Sequence, residues 1–430
     1  MSPGEEKDKT KVPVFLTMPS VQGKIVKLLI SAALIAGVIW QFNYARQLAL
    51  VEKDGYAFTP DEIGRLDKLA RAHYAYGRKA WYENRLEAAK THLIRAVADD
   101  MLLVSAWLQL AQTELSLGDR KQAARIVAFT HQLTRDTLRW KWDHILLARD
   151  LGLEDILLQS INDAISCNAL QRDALQLLDM YYGQDTGRIL TIMAAENKPL
   201  YLQWLMRWDR VEDSWLVWNS LPETVRAETR FHEAYVDFLL SNRATVNARQ
   251  IWEKYNGGTG ITNPGFEQEM SNAGFGWCYR TDGAQGWNLA RSRENPEEGR
   301  YALGITFDGT ENVRFNHVRQ IVPVEPGSAY SLSYWRKSRN LTTDERLFID
   351  IFCFDGGDGR HWSGPMLPVD GDWQEDTILF SPPDQCRAVT IQITRKPSRR
   401  FGCKISGKAW FDGFRIERPA DGPAININRE

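Results

Sequence analysis

The 430-residue chain has little histidine, little cysteine and almost no net charge. Its 53 lysines and arginines are balanced by 55 acidic residues, so it lacks the basic excess of proteins that bind nucleic acid through phosphates. No two of the seven histidines stand at metal-ligand spacing, so no His-based zinc site is indicated. Nucleophile elbow, HExxH, phosphate-loop and kinase signatures are also missing. We predict that the chain is not an enzyme and does not bind nucleic acid.

The composition otherwise indicates folded domains with many aromatic rings. Hydrophobic residues make up 43% of the chain and charged residues 25%, which is typical of packed globular proteins. The length predicts two or three domains. The 16 Trp, 14 Tyr and 17 Phe side chains can fill cores, and they can also serve as binding platforms.

One apolar segment near the N-terminus is long enough to cross a membrane. Leu28 to Ala45 is an uncharged run of 18 residues, close to the minimum for a hydrocarbon core of about 30 Å. Basic residues precede this run, at Lys7, Lys9, Lys11, Lys24 and Lys27. The positive-inside bias predicts a cytoplasmic tail at 1–27, a single transmembrane helix at 28–45, and the bulk of the chain in the periplasm, anchored in a bacterial inner membrane. A cleaved signal peptide and a buried soluble helix are the alternatives.

The segment 58–255 carries a helical pattern with a regular internal repeat. Ala89 and Ala123 are one period apart, and Ala96 and Ala164 are two periods apart. Turn-forming residues recur at the same spacing, at Asn84, Gly118 and Gly152. Fixed spacing of small residues and turns indicates stacked helix pairs, each burying its apolar face against the next.

This pattern resembles the tetratricopeptide repeat, a helix pair of about 34 residues with small residues where the helices touch. The resemblance covers about 70–170 well, with His73 where an opening Trp is usual and Leu157 in a small-residue slot. It implies an all-α solenoid whose groove binds a protein partner. The alternative is a solenoid that only spaces the following domain from the membrane.

The helical pattern stops at Asn256, and short β-type runs separated by turn residues follow. In the segment 329–335, Tyr330, Leu332 and Tyr334 share one face, which leaves Trp335 on the other. In the segment 388–394, apolar side chains share a face opposite Gln392. Such alternation predicts an all-β antiparallel sandwich with one wettable side per sheet.

Four of the five cysteines, Cys278, Cys353, Cys386 and Cys403, fall in this β-rich part. An even number in an exported domain predicts two disulfides, and four cysteines allow three pairings. Four buried thiols are the alternative. Cys167 lies in the helical part and is expected to be a small buried hydrophobe.

The order of several short motifs in the β-rich part is recognisable. NPGFE at 263–267, GW at 276–277, YALGI at 301–305, a long run at 320–335 and WFDGFRI at 410–416 follow one another. Together they resemble the family 4/9 type of carbohydrate-binding module, a β-jelly roll, over residues 261–418. Residues 419–430 would then be a tail.

The resemblance implies two kinds of site. A structural Ca²⁺ would be held by Glu267 and Asp412, and two carboxylates suit such a hard ion; two solvated surface acids are the alternative. Sugar binding needs rings for apolar sugar faces and amides for hydroxyls. The positions matched by the resemblance are Tyr279, Gln320 and Gln392. Three tryptophans are further candidates for sugar contact: Trp335, because it lies on the non-core face of its strand, and Trp287 and Trp362, because they lie in loop-like sequence.

These parts predict a multidomain, membrane-anchored exported scaffold. Its repeats would bind a protein partner and its sandwich a polysaccharide, in the assembly or export of an exopolysaccharide or another envelope glycan. One alternative is a structural adaptor of an envelope complex whose sandwich binds protein. Another is a glycan hydrolase, which requires two carboxylates across a cleft.

Overall fold

A computed structural model of the chain describes residues 21–53, 69–258, 260–281, 285–356 and 359–418. The chain divides into two compact units, Met1–Tyr181 and Tyr182–Glu430. The predicted C-terminal tail and most of the predicted cytoplasmic tail lie outside the described residues. We call the two parts the N-terminal unit and the C-terminal unit.

The first helix of the N-terminal unit, α1, runs from Val21 to Lys53. The segment Ile25–Arg46 is apolar enough and long enough to cross a membrane, and none of it is buried. At 1.5 Å per residue its 22 residues span about 33 Å. Trp40 and Tyr44 stack near its end with ring centroids 5.7 Å apart. The predicted apolar helix is therefore present, and by length and composition it suits an anchor or a signal sequence.

Helix pairs make up the rest of the N-terminal unit as the structure describes it. They are α2 (Ala70–Tyr82), α3 (Leu86–Asp99), α4 (Val104–Ser116), α5 (Arg120–Leu133), α6 (Lys141–Leu151) and α7 (Glu154–Ile165), followed by α8 (Gln171–Tyr181). The second helices of the three pairs begin at Leu86, Arg120 and Glu154, which are equally spaced along the chain. Their spacing is that of the repeat found in the sequence, so the repeat is a structural one.

The slots identified in the sequence have the expected physical roles. Asn84, Gly118 and Gly152 all have positive φ angles, between 58° and 89°, which turn the chain from the first helix of each pair into the second. The equivalent slots within the second helices are almost wholly buried, at Ala89, Ala123 and Leu157, and at Ala96, Thr130 and Ala164. The helix pairs confirm an all-α repeat region, while its assignment to the tetratricopeptide family stays a prediction.

The C-terminal unit begins with six further helices, all within its described residues. They are α9 (Thr186–Ile192), α10 (Lys198–Arg207), α11 (Val211–Ser220), α12 (Glu223–Arg226), α13 (Thr229–Ser241) and α14 (Thr245–Asn256). The short α9 interrupts the repeat, and the same period returns between the helix starts at Val211 and Thr245. Asp209 and Arg243 supply the positive φ angles before these two helices.

Ten strands follow in the described residues and form two five-stranded antiparallel sheets. In chain order they are β1 (Cys278–Tyr279), β2 (Trp287–Ser292), β3 (Ala302–Asp308), β4 (Phe315–Pro323), β5 (Tyr330–Arg339), β6 (Phe348–Cys353), β7 (His361–Ser363), β8 (Gly371–Phe380), β9 (Ala388–Arg395) and β10 (Ser406–Glu417). Sheet A has the order β1-β4-β9-β6-β7 and sheet B the order β2-β3-β10-β5-β8. Between them lies an apolar core, which includes Trp277, Tyr334 and Ile391. The predicted jelly-roll sandwich is confirmed.

A disulfide joins two neighbouring strands of sheet A. Cys353 at the end of β6 is bonded to Cys386, just before β9, across 33 residues of sequence. Cys278 and Cys403 are free thiols, so the expectation of a second disulfide from these two is wrong. Cys278 lies on the edge strand β1, whereas Cys403 lies in the connection between β9 and β10. Cys167 is also a free, partly buried thiol.

Candidate functional site

A row of polar side chains crosses the outer face of sheet A. Strand register places Cys278, Arg319, Gln392, Asp350 and Ser363 opposite one another on five adjacent strands. Their neighbours along the strands point into the core, because successive side chains of a strand alternate between faces. The row therefore presents a thiol, a guanidinium, an amide, a carboxylate and a hydroxyl on one surface.

Gln392 occupies the middle of this row and is held in position by its own sheet. Its Nε2 donates to the backbone oxygen of Asn316 at 3.0 Å, and its Oε1 lies 3.4 Å from Thr394 Oγ1. The side chain is only half-buried. An amide has two donor hydrogens and two acceptor lone pairs, so Gln392 keeps bonding capacity for a ligand.

Two hollows adjoin Gln392. The smaller, of about 260 Å³, is lined by Cys278, Arg280, Asn316, His317, Arg319 and Gln392. The larger, of about 810 Å³, also includes Asn316 and Gln392 and extends over residues 394–400. Because the same two residues line both hollows, the hollows adjoin one another, and we call the pair the depression on sheet A.

Two stacked rings support the wall of the smaller hollow. Trp287 is 7% exposed and stacks on His317, with ring centroids 4.6 Å apart. Burial lowers the pKa of His317 and raises the pKa of the Cys278 thiol, so at neutral pH both groups are uncharged. The sequence predicted Trp287 to lie in a loop and to stack on a sugar. It is instead the first residue of β2, and its buried ring packs against His317.

Arg395 holds together the wall of the larger hollow. It is 1% exposed, and its guanidinium donates to the backbone oxygens of Glu345, Val313 and Cys403. Its hydrogen-bond partners thus come from three different connections. Burial lowers the pKa of this guanidinium. A buried cation with several fixed acceptors orders these connections relative to β9.

Helices α13 and α14 pack against the other end of sheet A. Asp237 accepts a hydrogen bond from the backbone nitrogen of Gly274 at 2.6 Å, and the Arg243 guanidinium lies 4.3 Å from the centre of the Phe354 ring. Ile321 and Thr390 are paired on the outer face, yet they are 8% and 1% exposed. The part of the outer face around Ile321 and Thr390 is therefore covered, whereas the part around half-buried Gln392 remains open.

Two of the predicted ligand residues lie in positions that water does not reach freely. Gln320 is fully buried, and its amide donates to the backbone oxygens of Thr262 and Phe275. Trp362 belongs to β7, opposite Ile351, and packs against the core. Both residues follow the inward parity of their strands, so they are structural rather than ligand-facing in this conformation.

Tyr279 and Trp335 are accessible but do not line either hollow. Tyr279 lies on the edge strand β1, beside Cys278, and is 37% exposed. Trp335 lies on the outer face of sheet B, where it pairs with Glu375 and Asp412. The prediction that Trp335 points away from the core is confirmed, but the structure separates it from Gln392 by the thickness of the sandwich.

Sequence reasoning missed the cations and the carboxylate beside Gln392. Arg319 precedes Gln320 on β4, and period-two parity would have placed it outward. Asp350 accepts hydrogen bonds from His361 Nδ1 and Ser363 Oγ, both at 2.8 Å. In a nucleophile triad the histidine lies between the other two groups; here the carboxylate does, so this trio does not activate the hydroxyl.

Glu267 and Asp412 come together near the start and the end of the sandwich. Glu267 accepts hydrogen bonds from the backbone nitrogens of Arg300 and Tyr301, and Asp412 accepts from those of Glu297 and Glu298. Both carboxylates thus bind one loop. A Cβ at Gly265 would lie 3.3 Å from Asp412 Oδ1 and 3.9 Å from Glu267 Cγ, so this glycine leaves space between them.

The two carboxylates differ in their surroundings. Asp412 is fully buried, and this burial raises its pKa to about 6. Glu267 is exposed, and the Arg300 and Tyr301 N–H groups lower its pKa. No group of three or more His, Cys, Asp or Glu side chains suited to a metal occurs in the described part of the chain. An ion here would need backbone oxygens as its other ligands, which a hard cation accepts.

A third hollow lies in the helical repeats of the N-terminal unit. It has a volume of about 140 Å³ and is lined by side chains of the first helix of each pair, α2, α4 and α6, together with Trp140. Gln109, Gln112 and Asp143 supply its polar groups. Burial raises the pKa of Asp143.

No protein-family model matches the chain, and no curated protein matches it. One similar solved structure is TmCBM61 in complex with β-1,4-galactotriose, which is 18% identical over 37% of this chain and 97% of that chain, with a TM-score of 0.26. Another is the CBM22-1 xylan-binding domain of Paenibacillus barcinonensis Xyn10C, which is 15% identical over 37% of this chain and 93% of that chain, with a TM-score of 0.25. A CBM4 structure is 16% identical over 37% of this chain and 99% of that chain, with a TM-score of 0.27. At these scores the likeness carries no argument about function.

Proposed function

We propose that this chain is a non-enzymatic, membrane-anchored scaffold whose β-sandwich binds a polysaccharide and whose helical repeats bind a protein partner. The observation that carries the proposal is the polar row on sheet A, with half-exposed Gln392 between two adjoining hollows. Sugar hydroxyls are recognised by convergent amide, carboxylate and guanidinium groups, which this row supplies. A shallow, open depression suits an extended chain better than a small molecule.

The test is a glycan-array screen with the full-length protein in a non-ionic detergent that lacks a sugar headgroup. We expect binding to a restricted set of polysaccharides, and weaker binding by the Gln392→Ala variant at an unchanged melting temperature. Absence of binding to every glycan by the folded protein would overturn the proposal.

The proposed location is a bacterial inner membrane, with residues 1–27 in the cytoplasm and the helical repeats and the β-sandwich in the periplasm. The length of Ile25–Arg46 and the five lysines before residue 28 support this orientation. The Cys353–Cys386 disulfide also suits an oxidising compartment. A role in the assembly or export of an exopolysaccharide or another envelope glycan follows from this combination of parts.

The structural Ca²⁺ is also a proposal. Glu267 and Asp412 fit a hard cation in donor type, and Gly265 leaves room between them. Such an ion would join the segment before β1 to β10, and so its contribution would be to stability rather than to sugar contact. Its test is given in the Discussion.

A structural adaptor with no glycan affinity is the second candidate. The observation that favours it is the α13–α14 pair, since protein already covers one end of the outer face of sheet A. For this candidate the hollow on α2, α4 and α6 would be the main partner site. A glycan-negative protein that still captures a membrane-complex partner through the repeats would select it.

A further inference from the structure

The depression around Gln392 is strongly cationic although the whole chain carries a net charge of −2. Its lining includes seven arginine or lysine side chains but only two carboxylates, those of Asp344 and Glu345. Such a concentration of one sign at a concave surface raises the local concentration of anions.

Most of these cations have no carboxylate partner in the described part of the chain. Six of the seven form no ion pair there: the buried Arg395 and five others, which are Arg280, Arg314, Arg319, Lys396 and Arg399. Four of the five are exposed and Arg319 is half-buried. Like charges held together without partners repel one another, so this arrangement costs folding stability unless an anion binds.

The local acids do not neutralise them. Asp344 is already bound by Arg400, at 2.9 Å, and by Ser398 Oγ, at 2.6 Å. Glu345 lies beside the buried Arg395, whose Nε donates a hydrogen bond to the Glu345 backbone oxygen at 2.9 Å. Arg395 has no carboxylate within ion-pair distance in the described structure. The five unpaired cations are therefore available to a ligand.

The outer face of sheet B has fewer cations without a carboxylate partner in its described strands. On the outer face of sheet B, Lys408 pairs with Glu294 at 3.1 Å and Arg415 pairs with Glu298. Lys337 there lies 5.8 Å from the ring centres of both Trp373 and Trp410. Lys337, Lys408 and Arg415 thus have a carboxylate or ring partner, whereas exposed Arg339 on β5 forms no ion pair in the described structure. Cations without a carboxylate partner are more numerous beside Gln392, where Lys396 lies 5.9 Å from the centre of the Phe348 ring.

We infer that the polysaccharide bound at sheet A is acidic and carries carboxylate groups, such as those of uronic acids or pyruvate ketals. This inference rests on the proposed function and names its substrate class. Arg319 and Gln392 are in register on adjacent strands, so a guanidinium for a carboxylate lies beside an amide for a hydroxyl. The exposed cations at 314, 396 and 399 extend the same selectivity along the larger hollow.

The test uses the full-length protein in the same detergent and a matched panel of glycans. The panel pairs polygalacturonate, alginate and hyaluronan each with its carboxyl-reduced form, and adds neutral polysaccharides, dextran sulfate and single-stranded DNA. We expect at least one acidic glycan to bind about tenfold or more tightly than its reduced form, and its affinity to fall as NaCl is raised.

Two charge-matched variants locate the effect. Arg314→Ala with Arg399→Ala should weaken binding of the acidic glycan about five- to tenfold, with a melting temperature that is equal or higher because repulsion is relieved. Arg339→Ala with Lys408→Ala removes the same charge from sheet B and should leave this affinity unchanged.

The outcomes separate the inference from the function beneath it. Equal affinity for acidic and reduced forms, or binding to neutral glycans alone, would overturn the inference while the glycan-binding function stands. If dextran sulfate and single-stranded DNA bind as tightly as the best acidic glycan, the inference is also overturned, since the face would then be a general polyanion surface. Binding to no glycan at all would overturn both.

Discussion

The two outer faces of the sandwich differ in chemistry although they belong to one fold. Sheet A presents amide, carboxylate and unpaired cationic groups around Gln392 with no tryptophan among the described residues lining its hollows. Sheet B presents Trp335, Trp373 and Trp410, with Lys408 and Arg415 paired to acids and Lys337 near two of these rings. The outward-facing tryptophans and the unpaired polar groups, which together signal a sugar site, lie on opposite sides of the sandwich.

This difference shows that aromatic content alone does not identify the binding face. Trp410 is 2% exposed and Lys337 8% exposed, so the sheet B cluster is largely covered by its own side chains. It acts as an outer layer of packing. On sheet A the polar groups around Gln392 stay accessible because helices α13 and α14 cover only one end of that face.

The largest expected effect concerns the covalent link of sheet A, which sheet B lacks in its described strands. Replacing Cys353 and Cys386 together by Ala should lower the free energy of unfolding by about 3.7 kcal/mol, because a 33-residue separation is no longer constrained in the unfolded chain. Hydrogen exchange should accelerate more in β6 and β9 than in β3 and β5. The Cys278→Ala, Cys403→Ala pair removes two thiols without a crosslink, and an equal loss there would contradict the assignment.

A smaller loss of thermal stability is expected when the proposed Ca²⁺ is removed from Glu267 and Asp412, beside sheet B. Chelation of Ca²⁺ should lower the melting temperature by several degrees, since an ion at 100 times its dissociation constant contributes about 2.7 kcal/mol. Glu267→Gln and Asp412→Asn should abolish this response, whereas exposed Asp308→Asn should retain it. Glycan affinity at sheet A should be unchanged by chelation of the folded protein. A melting temperature insensitive to chelator in the starting protein would remove the proposed ion.

The smallest expected effect is a change in thiol accessibility. Cys278 lines the smaller hollow, whereas Cys403 lines neither hollow. Saturation with a bound glycan should slow alkylation of Cys278 severalfold and leave Cys403 unaffected, because reaction of a half-buried thiol depends on access. Peptide mass spectrometry distinguishes the two sites. Equal rates with and without glycan at Cys278 would place the ligand elsewhere.

Much of the fold could be predicted because periodic patterns report local geometry directly. The regular spacing of turn and small residues located the helix pairs, and alternation identified the sandwich strands. The short α9 and the restored period after Val211 were not predicted, since they depend on how the helices pack in three dimensions. The same holds for the grouping of residues 182–256 with the sandwich.

The candidate site was only partly predictable from the sequence. Parity placed Gln392 and Trp335 correctly on non-core faces, but it does not tell which sheet each strand joins. Gln320 and Trp362 instead lie at inward-facing positions of β4 and β7, which neither their residue type nor their flanking sequence reveals. The unpaired cations come from β4, the residue just before it, the segment just after β1 and the connection after β9, and only the strand order brings them together.

The most direct test compares one residue from each outer face. Dissociation constants for the strongest glycan of the array would be measured for the full-length protein, Gln392→Ala and Trp335→Ala, each with its melting temperature. The account predicts about tenfold weaker binding for Gln392→Ala, through the loss of two hydrogen bonds, and less than about twofold change for Trp335→Ala. Strong loss in Trp335→Ala with full affinity in Gln392→Ala would contradict it and move the binding face to sheet B.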